Sequence, residues 1–485
     1  MKTYKNFIDG KWTSSCSKKT FCSLNPATER PIGSFQDSSK EDLDLAVTSA
    51  EEALSSWTDT PAPKRAEILF KIVELLKKDK ERLAKIEVIE MGKVYKEAAG
   101  DIQEAIDIFE YMAGEGRRLF GHTTPSELKN KFNATIRIPV GVVGIITPWN
   151  FPIAIPSWKL APALICGNTI IFKPSSYTPL CGIELIKILN EAGLPKGVVN
   201  LLTGSGERIG NPIIKHPKIK GISFTGSVET GKFIRKNAEL KKVGLELGGK
   251  NAIIIMEDAN LDLALEGVLW GAFGTTGQRC TAASRVIIHE KVAKTFEKML
   301  VNKTKKLKLG SGIMHNTDIG PLINKSAVEK VDYYVNLGIN EGAKLLYGGK
   351  PGKIKGFFYC PTIFSNVKPD MRIAQEEIFG PVVSIIKIKD INEAINVCNN
   401  IKYGLSSSIY TENMAYAFKA INKIEAGITY VNASTIGAEI HLPFGGVKKT
   451  GSSREAGWAG IEEFSEEKTI YIDYSGKLQK AQGIE

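Results

Sequence analysis

The chain has 485 residues, more than one ordinary core accommodates, and is expected to form two or three domains. Its 43% hydrophobic and 24% charged content excludes a disordered or collagen-like chain. The net charge of +11 comes from basic residues spread along the whole chain, with short clusters such as 303–308 and no arginine-rich arm, so no nucleic-acid partner is expected.

The seven cysteines are too few for a disulfide scaffold and odd in number. They read as thiols of a reducing compartment, which gives a cytoplasmic expectation. Five isolated histidines offer no metal-ligand spacing, so no metal is expected. The opening MKTYKNFIDGKW has no apolar stretch of the kind a secretory signal needs.

In chain order, residues 1–35 read as short strands and turns. Ile68, Ile72, Leu75, Leu76, Leu83 and Ile86 recur at helical spacing and predict an amphipathic helix over 64–86, with a second over 102–119. Residues 138–158 carry no formal charge and imitate a membrane span. Pro139, Pro148, Pro152 and Pro156 interrupt that run, so a buried strand followed by a tight loop is expected, and no membrane. Short β-branched runs then follow at 142–147, 169–173, 198–202, 222–225 and 243–247. Helix-length segments lie between or beside them at 157–164, 180–192, 207–215 and 229–238. Strands alternating with helices predict a parallel sheet covered on both faces. A second such array runs from about 252 to 450, with strands near 252–256, 286–289, 382–386, 407–410 and 428–431. The stretch 127–139 and the tail from 467 fit neither array and read as β extensions that pair with another subunit.

Four features carry chemistry. Gly226-Ser227 and Gly204-Ser205-Gly206 follow strands and open helices, where backbone amides bind phosphate. Neither has the GxGxxG spacing, and plain structural turns explain either one alone. Cys280 stands beside Arg279 among small polar residues (Gly274 to Gln278), a setting that favours a nucleophilic thiolate; the other six cysteines read as inert. Glu246 lies between two leucines, either paired to a cation or acting as a base with a pKa raised by burial. Asn150 follows the first strand of the array, either capping a turn or donating its amide to a developing oxyanion.

Eight motifs occur in order along nearly the whole chain: TPWNFP (147–152), FKPSSYTP (172–179), GLPKGVVNLLTG (193–204), SFTGSVETG (223–231), LELGGKN (245–251), GQRCT (277–281), EEIFGPV (376–382) and LPFGGVKKTG (442–451). In these the sequence resembles the aldehyde dehydrogenase superfamily, which binds its dinucleotide on a non-standard turn. The resemblance implies an α/β fold in three parts. A Rossmann-like NAD(P)-binding domain takes 1–120 and 140–250, a catalytic domain 251–450, and a small β oligomerisation element 121–139 and 465–485. It implies a homo-oligomer, dimer or tetramer, acting on a small-molecule aldehyde.

The same resemblance implies roles for single residues. Cys280 matches the nucleophile, Glu246 the general base and Asn150 the oxyanion donor. Lys173 and Glu377 match residues that hold the cofactor riboses, and Ser227 a pyrophosphate contact. Thr147, Pro148, Trp149, Ser175, Ser176, Gly204, Gly226, Leu247 and Phe379 complete the cofactor site. The neutral Ser176 beside Lys173 points to NADP in preference to NAD. Phe151, Trp158, Arg279, Thr281 and Phe444 match the substrate pocket. Arg279 either pairs with a carboxylate of a semialdehyde such as 2,5-dioxopentanoate or succinate semialdehyde, or turns away and only tunes the thiol. Small hydroxyaldehydes such as glyceraldehyde or lactaldehyde are the alternative substrates. A cysteine esterase and a non-catalytic structural relative are the contrasting readings. The cofactor motifs argue against the first, and the presence of both Cys280 and Glu246 argues against the second.

Overall fold

The computed structural model describes residues 1–482. Five strands of the first array lie parallel, in the spatial order Lys242–Glu246, Gly221–Thr225, Val142–Ile146, Thr169–Lys173 and Val199–Leu201. Asn6–Ile8 joins the last of them antiparallel and Lys11–Thr13 closes the edge, so part of the N-terminal segment completes this sheet. Strands Val142–Ile146 and Thr169–Lys173 are buried along their full length, as expected of a sheet with helices on both faces.

The helix Ala62–Met91 packs on the helices Ala154–Ile165 and Pro179–Glu191, with Leu69, Ile72, Leu76 and Leu83 fully buried. It stops at Gly92, whose left-handed backbone (φ +96) a side chain would strain. The neighbouring helix Tyr95–Glu115 packs along it. A further helix, Lys40–Asp59, lies outside the elements expected from the sequence; it buries Leu43, Ala46, Val47, Ala50, Ala53 and Trp57 along one face. The segment 207–215 is not one helix but a π-type turn, Gly206–Gly210, running into the short helix Asn211–Lys215.

After Glu246 the chain leaves the first sheet and enters a second with Asn251–Ile255. That sheet has the order Lys344–Tyr347, Thr362–Ser365, Val382–Ile388, Ala283–His289, Asn251–Ile255, Ser406–Tyr410 and Ile428–Val431, parallel except at its first strand.

The two segments set aside in the sequence pair with one another within the chain. Ser465–Asp473 runs antiparallel to Lys131–Pro139, from Ser465 opposite Pro139 to Asp473 opposite Lys131, and Thr123–Thr124 adds a short third strand. Residues 483–485, the end of the segment expected to serve oligomerisation, lie outside the described residues. No helix among the described residues is long and apolar enough to cross a membrane. The charge-free run 138–158 becomes strand Val142–Ile146, a loop, and the start of helix Ala154–Ile165.

Candidate active site

The carboxyl ends of the five parallel strands share one edge of the first sheet. Thr147, Lys173, Gly204, Gly226 and Glu246 all sit at or just beyond these ends. In open parallel sheets this is where ligands bind. The turn carrying Cys280 comes from the second sheet, between helix Leu261–Phe273 and strand Ala283–His289, and meets this edge from across the cleft.

Two hollows meet at Cys280. The inner cavity, about 70 Å³, is lined by Phe151, Trp158, Arg279, Thr281 and Phe444, the five residues expected to form the substrate pocket, and by Glu246. The larger cleft, about 300 Å³, is lined by Pro148, Trp149, Asn150, Gly226, Ser227, Glu377 and Phe379. Leu247 and Cys280 line both. The remaining expected cofactor residues, Thr147, Lys173, Ser175, Ser176 and Gly204, lie outside that cleft, along the same strand-end edge.

The cleft fits an extended phosphate-bearing ligand. Ser227 caps helix Val228–Asn237 by accepting from the Thr230 amide. A Cβ on Gly226 would meet the Phe224 ring at 2.4 Å, and one on Gly248 would meet Glu377 at 2.6 Å, so bare backbone is required at both. Glu377 accepts from the Gly249 amide at 2.8 Å, and burial raises its pKa. Phe379 meets the Trp149 ring edge-on at 5.5 Å. The Thr147 hydroxyl is buried without a partner. Lys173 is buried with, among the described residues, only the Pro174 carbonyl accepting from its ammonium, and desolvation pulls its pKa down to about 8. Ser176 donates its hydroxyl to the Gly204 carbonyl at 2.9 Å, and Ser175 accepts from the Tyr177 amide. The Ser176 proton is therefore already engaged.

The turn before Cys280 is strained. Thr275 and Thr276 have φ of +50 and +58, and Gly277 has +70. Glu97 holds the turn by accepting from the Thr275 amide, at 2.8 Å to one oxygen and 2.9 Å to the other, and from its hydroxyl. A Cβ on Gly277 would stand 2.2 Å from the Gly380 carbonyl oxygen. Asn150, 4% exposed, donates its amide to the Gln278 carbonyl at 3.1 Å, so its side chain lies against the backbone leading to Cys280.

Glu246 is 3% exposed, forms no ion pair among the described residues, and has one carboxylate oxygen without a partner. Burial, with Glu455 adding to it, raises its pKa well above the ordinary 4.5. Of the two readings of Glu246, the structure favours the unpaired one. The cation nearby, Lys159, is taken by a close contact with Glu455 and donates to Ser223 at 2.9 Å.

The expectation that Arg279 favours the thiolate is corrected. Burial, with Glu246 and Glu377 adding to it, pushes the Cys280 thiol up to about 12. Arg279 is turned elsewhere. Its Nε donates to Thr275 at 2.8 Å, Nη2 lies 3.6 Å from Glu97, and the guanidinium sits between the rings of Phe151 (5.0 Å) and Trp270 (4.9 Å). It still lines the inner cavity.

Sequence reasoning missed Glu97, Glu104, Lys159 and Glu455, as well as Ile436, Gly437 and Ala438 on the cavity wall. It also missed the 323–330 stretch that borders the cleft through Asn324 and Lys330. Glu97 and Glu104 sit in an amphipathic helix where an acidic residue reads as a solvated face. The signal that separates them from their neighbours is spatial.

These features define an α/β enzyme with a cysteine placed between a long cleft at the strand ends and a smaller inner cavity. The chain belongs to the aldehyde dehydrogenase family, whose model matches residues 12–470. It is 42% identical over 478 residues to the alpha-ketoglutaric semialdehyde dehydrogenase of Bacillus subtilis, covering 97% of this chain and 98% of that one. It is 41% identical to the D-glyceraldehyde dehydrogenase (NADP(+)) of Picrophilus torridus, over 97% of this chain and 96% of the other. The solved NAD+ complex of an aldehyde dehydrogenase from Bacillus cereus superposes with a TM-score of 0.95 at 39% identity, covering 98% and 97% of the two chains. The protein is an aldehyde dehydrogenase, an oxidoreductase of a family that uses NAD or NADP and acts on small-molecule aldehydes.

Proposed function

We propose that the protein oxidises a small semialdehyde of the 2,5-dioxopentanoate type to the carboxylic acid through a covalent intermediate on Cys280. The observation that carries this reading is the position of Cys280 on both hollows, with Glu246 on the wall of the inner one. Cys280 bonds the aldehyde carbon as the thiolate, its proton having passed to solvent. The oxygen of the thiohemiacetal takes the negative charge, within reach of the Asn150 amide and the Cys280 backbone N–H. A nicotinamide dinucleotide, when bound in the larger cleft, supplies the acceptor for the hydride that leaves this carbon. Glu246 then takes a proton from water. The hydroxide attacks the thioester, the carbon–sulfur bond breaks, and the acid departs from a restored Cys280.

Lys173, Glu377, Ser227 and the glycine turns would hold the dinucleotide. The neutral Ser176 beside Lys173 supports NADP over NAD. The engaged Ser176 proton makes that preference a matter of absent negative charge rather than of a donated hydrogen bond. Arg279 on the cavity wall supports a substrate carboxylate, in line with the semialdehyde named for the Bacillus subtilis relative. The Picrophilus torridus relative supports glyceraldehyde as the second reading. The paired strands Lys131–Pro139 and Ser465–Asp473, with Phe132, Ile136, Tyr471 and Ile472 exposed, suit contact with another subunit in a homo-oligomer. The seven free cysteines suit a reducing, cytoplasmic setting.

The test is the formation of reduced dinucleotide with NAD and NADP over a panel of aldehydes. Wild type should turn over 2,5-dioxopentanoate. Cys280→Ser should bind dinucleotide yet lose oxidation almost entirely. Near wild-type turnover by Cys280→Ser would sink the mechanism.

A further inference from the structure

The inner cavity is mostly apolar, walled by Phe151, Ile155, Leu247, Ile436 and Phe444, yet it holds polar groups that the catalytic steps do not use. Glu104, on helix Tyr95–Glu115, lines it and makes no hydrogen bond or ion pair among the described residues. Arg279 is 11% exposed. Its Nε is on Thr275, its Nη2 near Glu97 and its guanidinium lies against two rings, and Nη1 has no hydrogen-bond partner among the described residues. Trp158, 6% exposed and edge-on to Phe444 at 5.0 Å, has a buried indole N–H with no acceptor. Uncommitted polar groups enclosed in an apolar cavity are costly unless a ligand completes them.

We infer that Glu104 and Arg279 together receive the far end of the substrate, and that this end is a carboxylate with an oxygen on the adjacent carbon. The inference rests on the function proposed above and narrows its substrate class to semialdehydes of 2-oxo or 2-hydroxy acids. Arg279 offers an N–H to the carboxylate. Glu104, as the neutral acid, donates to the adjacent oxygen; as the anion it repels the tail.

The charged groups around Glu104 bear on its protonation. Asp101 and Asp107 lie on its own helix, Lys93 precedes that helix, and Arg279 faces it from the Cys280 turn. Glu246 and Glu455 line the same cavity. Burial, with Asp101 adding to it and Arg279 and Lys93 opposing, raises the Glu104 carboxyl to about 7. Below that pH it donates, and above it repels. Apparent KM for a carboxylate-bearing aldehyde should therefore rise with pH across neutrality.

The experiment compares 2,5-dioxopentanoate, succinate semialdehyde and propanal in wild type, Glu104→Gln and Glu104→Leu, with KM and kcat followed on both sides of neutrality. Glu104→Leu should lower kcat/KM for 2,5-dioxopentanoate about 10-fold more than for propanal, the worth of one enclosed hydrogen bond, with succinate semialdehyde between. Glu104→Gln keeps a donor but cannot ionise, so it should flatten the pH dependence of KM for 2,5-dioxopentanoate. If wild type oxidises the three aldehydes and Glu104→Leu depresses all of them alike, or if the pH dependence persists in Glu104→Gln, the inference is overturned alone. If wild type reduces no dinucleotide with any of the three, the proposed function falls with it.

Discussion

Replacing Glu246 by glutamine separates the two halves of the reaction. Glu246 is enclosed, unpaired and on the cavity wall with Cys280. Glutamine keeps its volume and removes its ability to accept a proton. General-base help to water is worth about 10²–10⁴-fold. At about 1.4 kcal/mol per tenfold, roughly 3–5 kcal/mol should be lost from deacylation alone. Attack on the aldehyde should survive, because Glu246 is foremost among the carboxylates that raise the Cys280 thiol, so its removal eases ionisation of the nucleophile. Stopped-flow absorbance should therefore show an initial burst of reduced dinucleotide followed by slow steady turnover. Intact mass should show an acyl group on the protein.

The pH dependence has a definite sign. Glu246 works as the carboxylate, and its pKa lies well above 4.5. Wild-type turnover should fall as pH drops through that raised value, and Glu246→Gln should lack this limb. A variant with neither burst nor adduct would place Glu246 before the thioester. A variant with normal turnover would make it structural. Either result refutes the assignment.

Ser176→Glu brings a carboxylate to the turn beside Lys173 and should weaken NADP binding by about 1–3 kcal/mol while leaving NAD unharmed; dissociation constants from tryptophan fluorescence decide it, and an unchanged ratio would show that another residue controls the choice. With its thiol raised to about 12, resting Cys280 should be alkylated ever faster as pH rises past 9, as followed by peptide mass mapping; a plateau near 9 would show an ordinary thiol. Gly277→Ala should cost at least about 1 kcal/mol from its positive φ alone, and more from the 2.2 Å approach to Gly380, lowering turnover along with urea resistance; wild-type behaviour in both would mean that the Cys280 turn is loose.

The sequence by itself determined the strand–helix alternation and the identity of Cys280, Glu246 and Asn150 as candidates; the five substrate-pocket positions were implied by its family resemblance. These are local signals: β-branched runs bounded by glycine and proline, and motifs whose residues lie close together in the chain. The overlooked helix Lys40–Asp59 carries the same local signal, with Leu43, Val47, Ala50 and Trp57 on one face among many small residues. Pairing was beyond reach. Lys131–Pro139 and Ser465–Asp473 join across more than three hundred residues, and nothing local says whether such strands meet each other or a partner. Electrostatics was also decided in three dimensions. Arg279 is adjacent to Cys280 in the chain, yet its charge goes to Glu97 and two rings, while burial, with carboxylates remote in sequence adding to it, raises the thiol's pKa. Glu104 looks like any acidic residue of an amphipathic helix. Only packing against the Cys280 turn places its carboxyl in an apolar cavity, where desolvation and an arginine give it a chemistry that it lacks in water.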